Sequence, residues 1–168
     1  MTTVHWKDPY GAVIRRFNQY GVRYVVVGMA GINYYAEAPS QTFATMDYDI
    51  LLEPTLTNVE QALRCLKHLR FTIGTAAGPL KTDDAKVIVR HRRTLVATTP
   101  DGLMVELLLG VSGYTFSELV RDARTFTVRG VPVTVGRLTK LLTSKKLAGR
   151  PKDRQFLQRY QALLEEER

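Results

Sequence analysis

Cysteine is almost absent from this sequence. Cys65 stands alone among 168 residues, so no disulfide can form within the chain, and a disulfide-stapled secreted scaffold is excluded. A metal centre built on several thiolates is excluded with it. Cys65 lies among helix-forming residues with no second Cys in the chain and only His68 near it, and reads as a packing residue. The three histidines, His5, His68 and His91, are scattered without ligand spacing and read as surface or packing residues. Long apolar runs are missing as well. None approaches the roughly 20 residues that a membrane-crossing helix requires, and residues 1–10 contain no apolar core of a secretion signal. The expectation is a cytoplasmic protein without a membrane partner. Repeats, low-complexity tracts and linkers are also absent, which points to a single domain over residues 1–168, with a sheet-containing core over 1–136 and closing helices over 137–168.

Positive charge is what the sequence has in excess: 24 Lys and Arg against 16 Asp and Glu, a formal net charge of +8. A polyanionic partner such as nucleic acid, a nucleotide or an anionic surface would be attracted to it. The basic residues gather over 86–93, 121–129 and 140–154. Arg90, Arg92 and Arg93 fit an RNA backbone, and they equally fit a charged guard along an exposed hairpin edge. The acidic run at 165–167 reads as a solvated helix end.

Periodicity organises the chain. Residues 8–20 read as a helix with Val13, Ile14 and Phe17 on one face, ending at Gly21. Tyr24-Val25-Val26-Val27 reads as a buried strand, entering a helix at Gly28 that runs to Tyr35. Residues 45–52 form the second strand. Thr57 and Glu60 have the spacing of a capping box, opening a helix with Val59, Ala62, Leu63, Leu66 and Leu69 on one stripe. Residues 71–73 read as a strand, and residues 74–79 break the pattern. Residues 86–98 and 103–109 read as paired strands around the turn Pro100-Asp101-Gly102. A helix over 116–123 follows, then a hairpin turning at Arg129-Gly130 into a strand over 131–135. Helices over 137–147 and 151–166 end the chain. The last carries Phe156, Leu157, Tyr160, Leu163 and Leu164 on one side, with Gly149 and Pro151 suited to the break between the two. The fold class is α+β: a small mixed sheet packed by helices, closed by a C-terminal helical pair.

Three carboxylates stand out. Asp47 and Asp49 are two apart in a strand and therefore share a face, while Met46, Tyr48, Ile50 and Leu52 share the other. Adjacent carboxylates repel unless protonated or bridged by cations, and Mg²⁺ takes carboxylate, water and phosphate oxygens. A polar face toward water accounts for the pair equally well. Glu106 interrupts the apolar run 103–109, which reads as buried on both faces. An ionised carboxylate there is costly unless it is paired or binds a metal; the alternative is a strand end or sheet edge where it meets solvent or an arginine. If the strands over 45–52 and 103–109 are neighbours, the three acids converge. Two divalent ions about 3.5–4 Å apart could then align an attacking hydroxyl and a pyrophosphate leaving group.

Gly28, at a strand-to-helix junction, would let phosphate approach exposed backbone N–H groups, and Gly31 adds freedom nearby. Lys145 falls on the stripe of Leu138, Leu141 and Leu142 and so points inward, which suits an anionic partner. Snorkelling to water from a helix end is the other reading. Arg150 and Lys152 could favour the preceding helix C-terminus, and Asp153 could complement the next N-terminus.

Taken together, these residues resemble the polymerase-β-like nucleotidyltransferase superfamily, closest to its small bacterial abortive-infection and toxin branch. The matching pieces are Val25-Val26-Val27-Gly28-Met29-Ala30, Thr45-Met46-Asp47-Tyr48-Asp49-Ile50-Leu51-Leu52, Val105-Glu106-Leu107-Leu108 and Ser144-Lys145-Lys146-Leu147-Ala148-Gly149-Arg150-Pro151-Lys152-Asp153. They cover about residues 24–160. The resemblance implies that Gly28 and Met29, with Lys145 and Arg150, hold a nucleoside triphosphate. It implies that Asp47 and Asp49 bind two Mg²⁺ ions, and that Glu106 binds one of them and orients the acceptor hydroxyl. The sequence departs from the family pattern at Met29, where a second Gly or a Ser is usual, at Phe43, where an Arg is common, and at Glu106, which replaces an Asp. The implied activity is transfer of a nucleoside monophosphate to an acceptor hydroxyl on RNA, protein or a small molecule. Charge favours RNA, tRNA among the candidates, and a toxin role with a cognate antitoxin partner follows from the likeness. The rival readings are an inactive nucleotide- or RNA-binding module that kept the fold, and a basic protein-interaction domain.

Overall fold

The structure, a computed structural model, describes residues 2–4, 10–45, 47–75, 78–80 and 85–166. Strand β1 is Thr2–Val4. Helix α1 (Gly11–Gln19) buries Val13, Ile14 and Phe17, the face expected from their spacing; its expected first residues, 8 and 9, lie outside the described chain. All four residues of β2 (Tyr24–Val27) are buried, and the chain passes directly into α2 (Gly28–Asn33). There follow β3 (Tyr48–Leu52), α3 (Leu56–His68), β4 (Thr72–Thr75), β5 (Gly78–Pro79), α4 (Ala85–His91), β6 (Leu95–Thr98) and β7 (Met104–Leu108). Helix α5 (Phe116–Arg121), the hairpin of β8 (Arg124–Val128) and β9 (Val131–Val135), and helices α6 (Leu138–Ala148) and α7 (Pro151–Glu166) complete the chain. Among the described residues no helix is long and apolar enough to cross a membrane.

The nine described strands form one mixed sheet in the order β1-β8-β9-β2-β3-β7-β6-β4-β5. Strands β2 and β3 run antiparallel, and β3 and β7 run parallel, pairing Tyr48 with Val105, Asp49 with Glu106 and Ile50 with Leu107. The parallel pair lies at the centre, where both faces can be covered. Tyr48, Ile50 and Leu52 are buried on one face of β3, as alternation requires; Met46, expected beside them, lies outside the described residues. The α+β class therefore holds.

Several local expectations are corrected. Residues 86–98 do not form one strand: 85–91 are helical, and only 95–98 join the sheet. The β-branched run Val87-Ile88-Val89 favours a strand locally, yet as a helix it buries Ile88 and packs Val89 partly against the core. His91, Arg92 and Arg93 accordingly sit exposed at that helix's end rather than along a hairpin edge. The capping box is not at Thr57. The extended residue before α3 is Thr55, whose hydroxyl accepts from the Asn58 N–H at 3.4 Å. A true capping box opens α5, where Thr115 and Glu118 each accept the other's backbone N–H. The second strand begins at Tyr48, so Asp47 stands just before it. The run 103–109 alternates instead of being doubly buried: Val105, Leu107 and Leu109 are buried, and Glu106 is half-buried on the other face.

Candidate functional site

Register brings two of the predicted acids together. Asp49 and Glu106 are direct partners across β3 and β7, and partners in a parallel pair point to the same face. Burial, above all, then the charge of Glu106, a hydrogen bond with Glu106 and the charge of Asp47 push the Asp49 carboxyl from 3.8 up to about 7, against the opposing charge of Lys145. One oxygen, Oδ1, is buried with no hydrogen-bond partner. A buried carboxylate oxygen without a donor is costly, so its environment is built for something other than fold stability.

Asp47 is near enough for its charge to reach Asp49. Its N–H donates to the Thr45 hydroxyl at 3.2 Å, which shapes the approach to the strand. Among the described residues no three Asp, Glu, His or Cys side chains close into a ready-made metal cage; three like charges with no cation between them repel. The donor set that is present, acidic oxygens with one of them lacking a partner, is the hard-oxygen type that Mg²⁺ takes.

Gly28 explains itself through Asp49. Its φ of +66° lies in the left-handed region, and a Cβ there would collide with Asp49 Oδ2. The residue is glycine because the carboxylate occupies the space a side chain would fill. Gly31, read from sequence as a point of freedom, is buried and serves packing: a Cβ on it would meet Leu141 Cδ1 and the Val26 carbonyl oxygen, both at 3.0 Å. That close approach seats α6 on α2, and Lys145, one turn beyond Leu141, is thereby carried over the Gly28–Asp49 corner.

A cavity of about 530 Å³ opens there, lined by Gly28, Asp49, Ser144, Lys145 and Arg150 among others. Lys145 does point inward, with only 14% of its side chain exposed, and its ammonium lies 5.1 Å from the centre of the Phe156 ring. Ser144 donates to the Ser112 carbonyl oxygen at 2.7 Å, pinning the rim of the cavity to α6. Phe43 meets Phe156 edge-on at 4.9 Å and Tyr160 at 6.1 Å. Phe43 therefore anchors the segment leading to Asp47 onto α7. Met29 is half-buried against the core.

The residue that sequence reasoning undervalued is Asp153. It is 0% exposed and binds both cations of the cavity. It accepts from Arg150 Nε at 2.7 Å, Arg150 Nη2 at 3.3 Å, the Arg150 backbone N–H at 3.3 Å and Lys145 Nζ at 3.4 Å. Burial raises its carboxyl, but the Arg150 hydrogen bond and the Lys145 charge outweigh burial and hold it below the ordinary carboxylate range. The same hydrogen bond leads in raising Arg150 further above its usual value. Its spacing from Arg150 suggested only a helix-end charge; no local signal distinguishes an exposed acid at that position from a buried one.

The scattered residues stay outside the site. His68 and His91 are exposed, and His5 lies outside the described residues. Cys65 is buried. Tyr34 packs against Tyr48 and Phe126, and Tyr35 against Phe126, as core aromatics. No protein-family model matches the chain, and no curated protein shows significant similarity to it.

Proposed function

We propose that the chain is a metal-dependent nucleotidyltransferase, built on a nucleotidyltransferase-type sheet with a C-terminal helical pair, that moves a nucleoside monophosphate from a triphosphate to an acceptor hydroxyl. The observation that carries this reading is the Asp49–Glu106 pair, whose Asp49 has an unpartnered buried oxygen and lines a cavity together with Lys145 and Arg150. Acids on one side and cations on the other suit a triphosphate held with divalent ions.

In this reading Asp47, Asp49 and Glu106 hold Mg²⁺, two ions by the family resemblance. Bound there, Mg²⁺ would neutralise phosphate charge and ease departure of pyrophosphate. Lys145 and Arg150 grip the phosphates, and Gly28 and Met29 border them. Glu106 orients the acceptor hydroxyl and takes its proton as the new oxygen–phosphorus bond forms and the bond to pyrophosphate breaks. Positioning and charge complementarity supply most of the rate. The net charge of +8 favours an RNA acceptor, a tRNA end among the candidates, in the cytoplasm. A toxin role with an antitoxin partner rests on the resemblance alone.

Incubating the purified chain with total RNA, Mg²⁺ and each labelled triphosphate in turn tests the proposal. Label should enter RNA with at least one triphosphate and vanish in a folded Asp47→Ala variant. Triphosphate binding by calorimetry with no incorporation into RNA, protein or small acceptors would instead favour the binding-module reading, which the departures at Met29, Phe43 and Glu106 support.

A further inference from the structure

The cavity contains two positive side chains and a partnerless carboxylate oxygen, yet the two do not meet. The charge of Lys145 is felt at Asp49, and that of Arg150 is felt by Asp49 and Glu106, so the cations are near. In a half-buried cavity an ammonium would ordinarily swing to an unsatisfied carboxylate. Asp153 accounts for the separation. It is the one charged residue among those described that is wholly buried, and the hydrogen bonds it accepts there come from Lys145 and Arg150.

We infer that Asp153 is a positioning residue: by holding Lys145 and Arg150 it keeps their charges off the Asp49–Glu106 pair and leaves that pair open to a divalent cation. This rests on the metal-binding reading above and adds to it what holds the carboxylates vacant. The donor count fits. A guanidinium has five N–H bonds and an ammonium three. Asp153 takes two side-chain N–H bonds from Arg150 and one from Lys145, so three and two remain for phosphate oxygens. Arg150, 58% exposed in its side chain, is fixed at its inner edge and presents its outer edge to the cavity. Freed of Asp153, Lys145 has one strong alternative partner, the Asp49–Glu106 pair, and a lysine there occupies the position of the cation.

The test measures binding of Mn²⁺, a stand-in for Mg²⁺, to the full chain by calorimetry without nucleotide, with thermal melts to check folding. Wild type should bind, and Asp49→Asn should not. Asp153→Asn should weaken binding by about tenfold or more, because a competing positive charge moves in. Asp153→Glu, which keeps the charge, should retain binding. The double variant Asp153→Asn with Lys145→Gln should recover most of the loss, which repair of a merely structural defect would not explain. Should Asp153→Asn fail to fold, Lys145→Gln alone decides. An affinity unchanged or tighter by no more than about threefold, the effect of losing a nearby charge, supports the inference; binding tighter by about tenfold or more overturns it, because the lysine would then already be sitting on the carboxylates. Absence of Mn²⁺ binding in wild type sinks the metal reading and this inference together. Binding that is lost in Asp49→Asn and intact in Asp153→Asn sinks this inference alone.

Discussion

Replacing Asp49 by Asn should make the protein more stable while removing its proposed activity. The folded chain holds this carboxyl at about 7 against an ordinary 3.8, so between those values the native state keeps a proton that the unfolded chain has released. Stability contributed by this group therefore falls as pH rises through that window, and the full penalty is present above about pH 7. The gap corresponds to about 4 kcal/mol as a ceiling. Relaxation around a buried charge lowers the realised figure, and about half of the ceiling, roughly 2 kcal/mol, is the expected gain from Asn at pH 8. For a chain of this size that is a rise in Tm of about 4–8 °C. Melts of both proteins in divalent-free buffer from pH 4 to 8 should show curves that nearly coincide at the acid end and separate steadily toward pH 8. Adding Mg²⁺ should then raise the wild-type Tm at pH 8 and leave the variant unmoved. A destabilised Asp49→Asn, or a difference that does not change with pH, would refute the claim that this carboxylate is buried at a cost.

Gly28→Ala should lose about 2 kcal/mol or more in urea unfolding, because alanine is strained at φ +66° and its methyl would displace Asp49. Asn58→Ala should cost about 2–3 kcal/mol by the same assay. It strands the Arg23 N–H and takes one donor from the Arg23 and Glu53 carbonyls, which keep the N–H groups of Glu53 and Thr55. Phe43→Ala should lower thermal stability by about 2 kcal/mol through lost packing on Phe156 and Tyr160. Phe43→Arg should not restore it, since the phenyl ring acts here as an anchor for α7. Lys145→Ala should lower kcat/KM for triphosphate by about 10²–10³, read by steady-state incorporation, and should also lower Tm, because it removes a partner of the buried Asp153.

Much of the site's raw material was legible along the chain. An acid at every second position flagged Asp47 and Asp49, although only Asp49 lies within the strand; helical spacing put Lys145 with Leu138, Leu141 and Leu142, and an apolar run flagged Glu106. The errors fell where local preference met a distant neighbour. Residues 86–91 carry strand-forming side chains but form a helix, and the α3 cap fell two residues earlier than the Thr-x-x-Glu spacing suggested.

Periodicity and residue chemistry are local properties, so the sequence by itself determined most of the elements, the buried faces of α1 and β2 and the inward aim of Lys145. It could not determine which strands become neighbours. That Glu106 stands opposite Asp49 is a matter of sheet register between distant segments, set by the packing of the whole core. Only the tertiary structure turned Gly28 into the seat of a carboxylate, Gly31 into the contact that aims α6, and Asp153 into a buried counter-ion, because burial is conferred by whatever else packs around a residue.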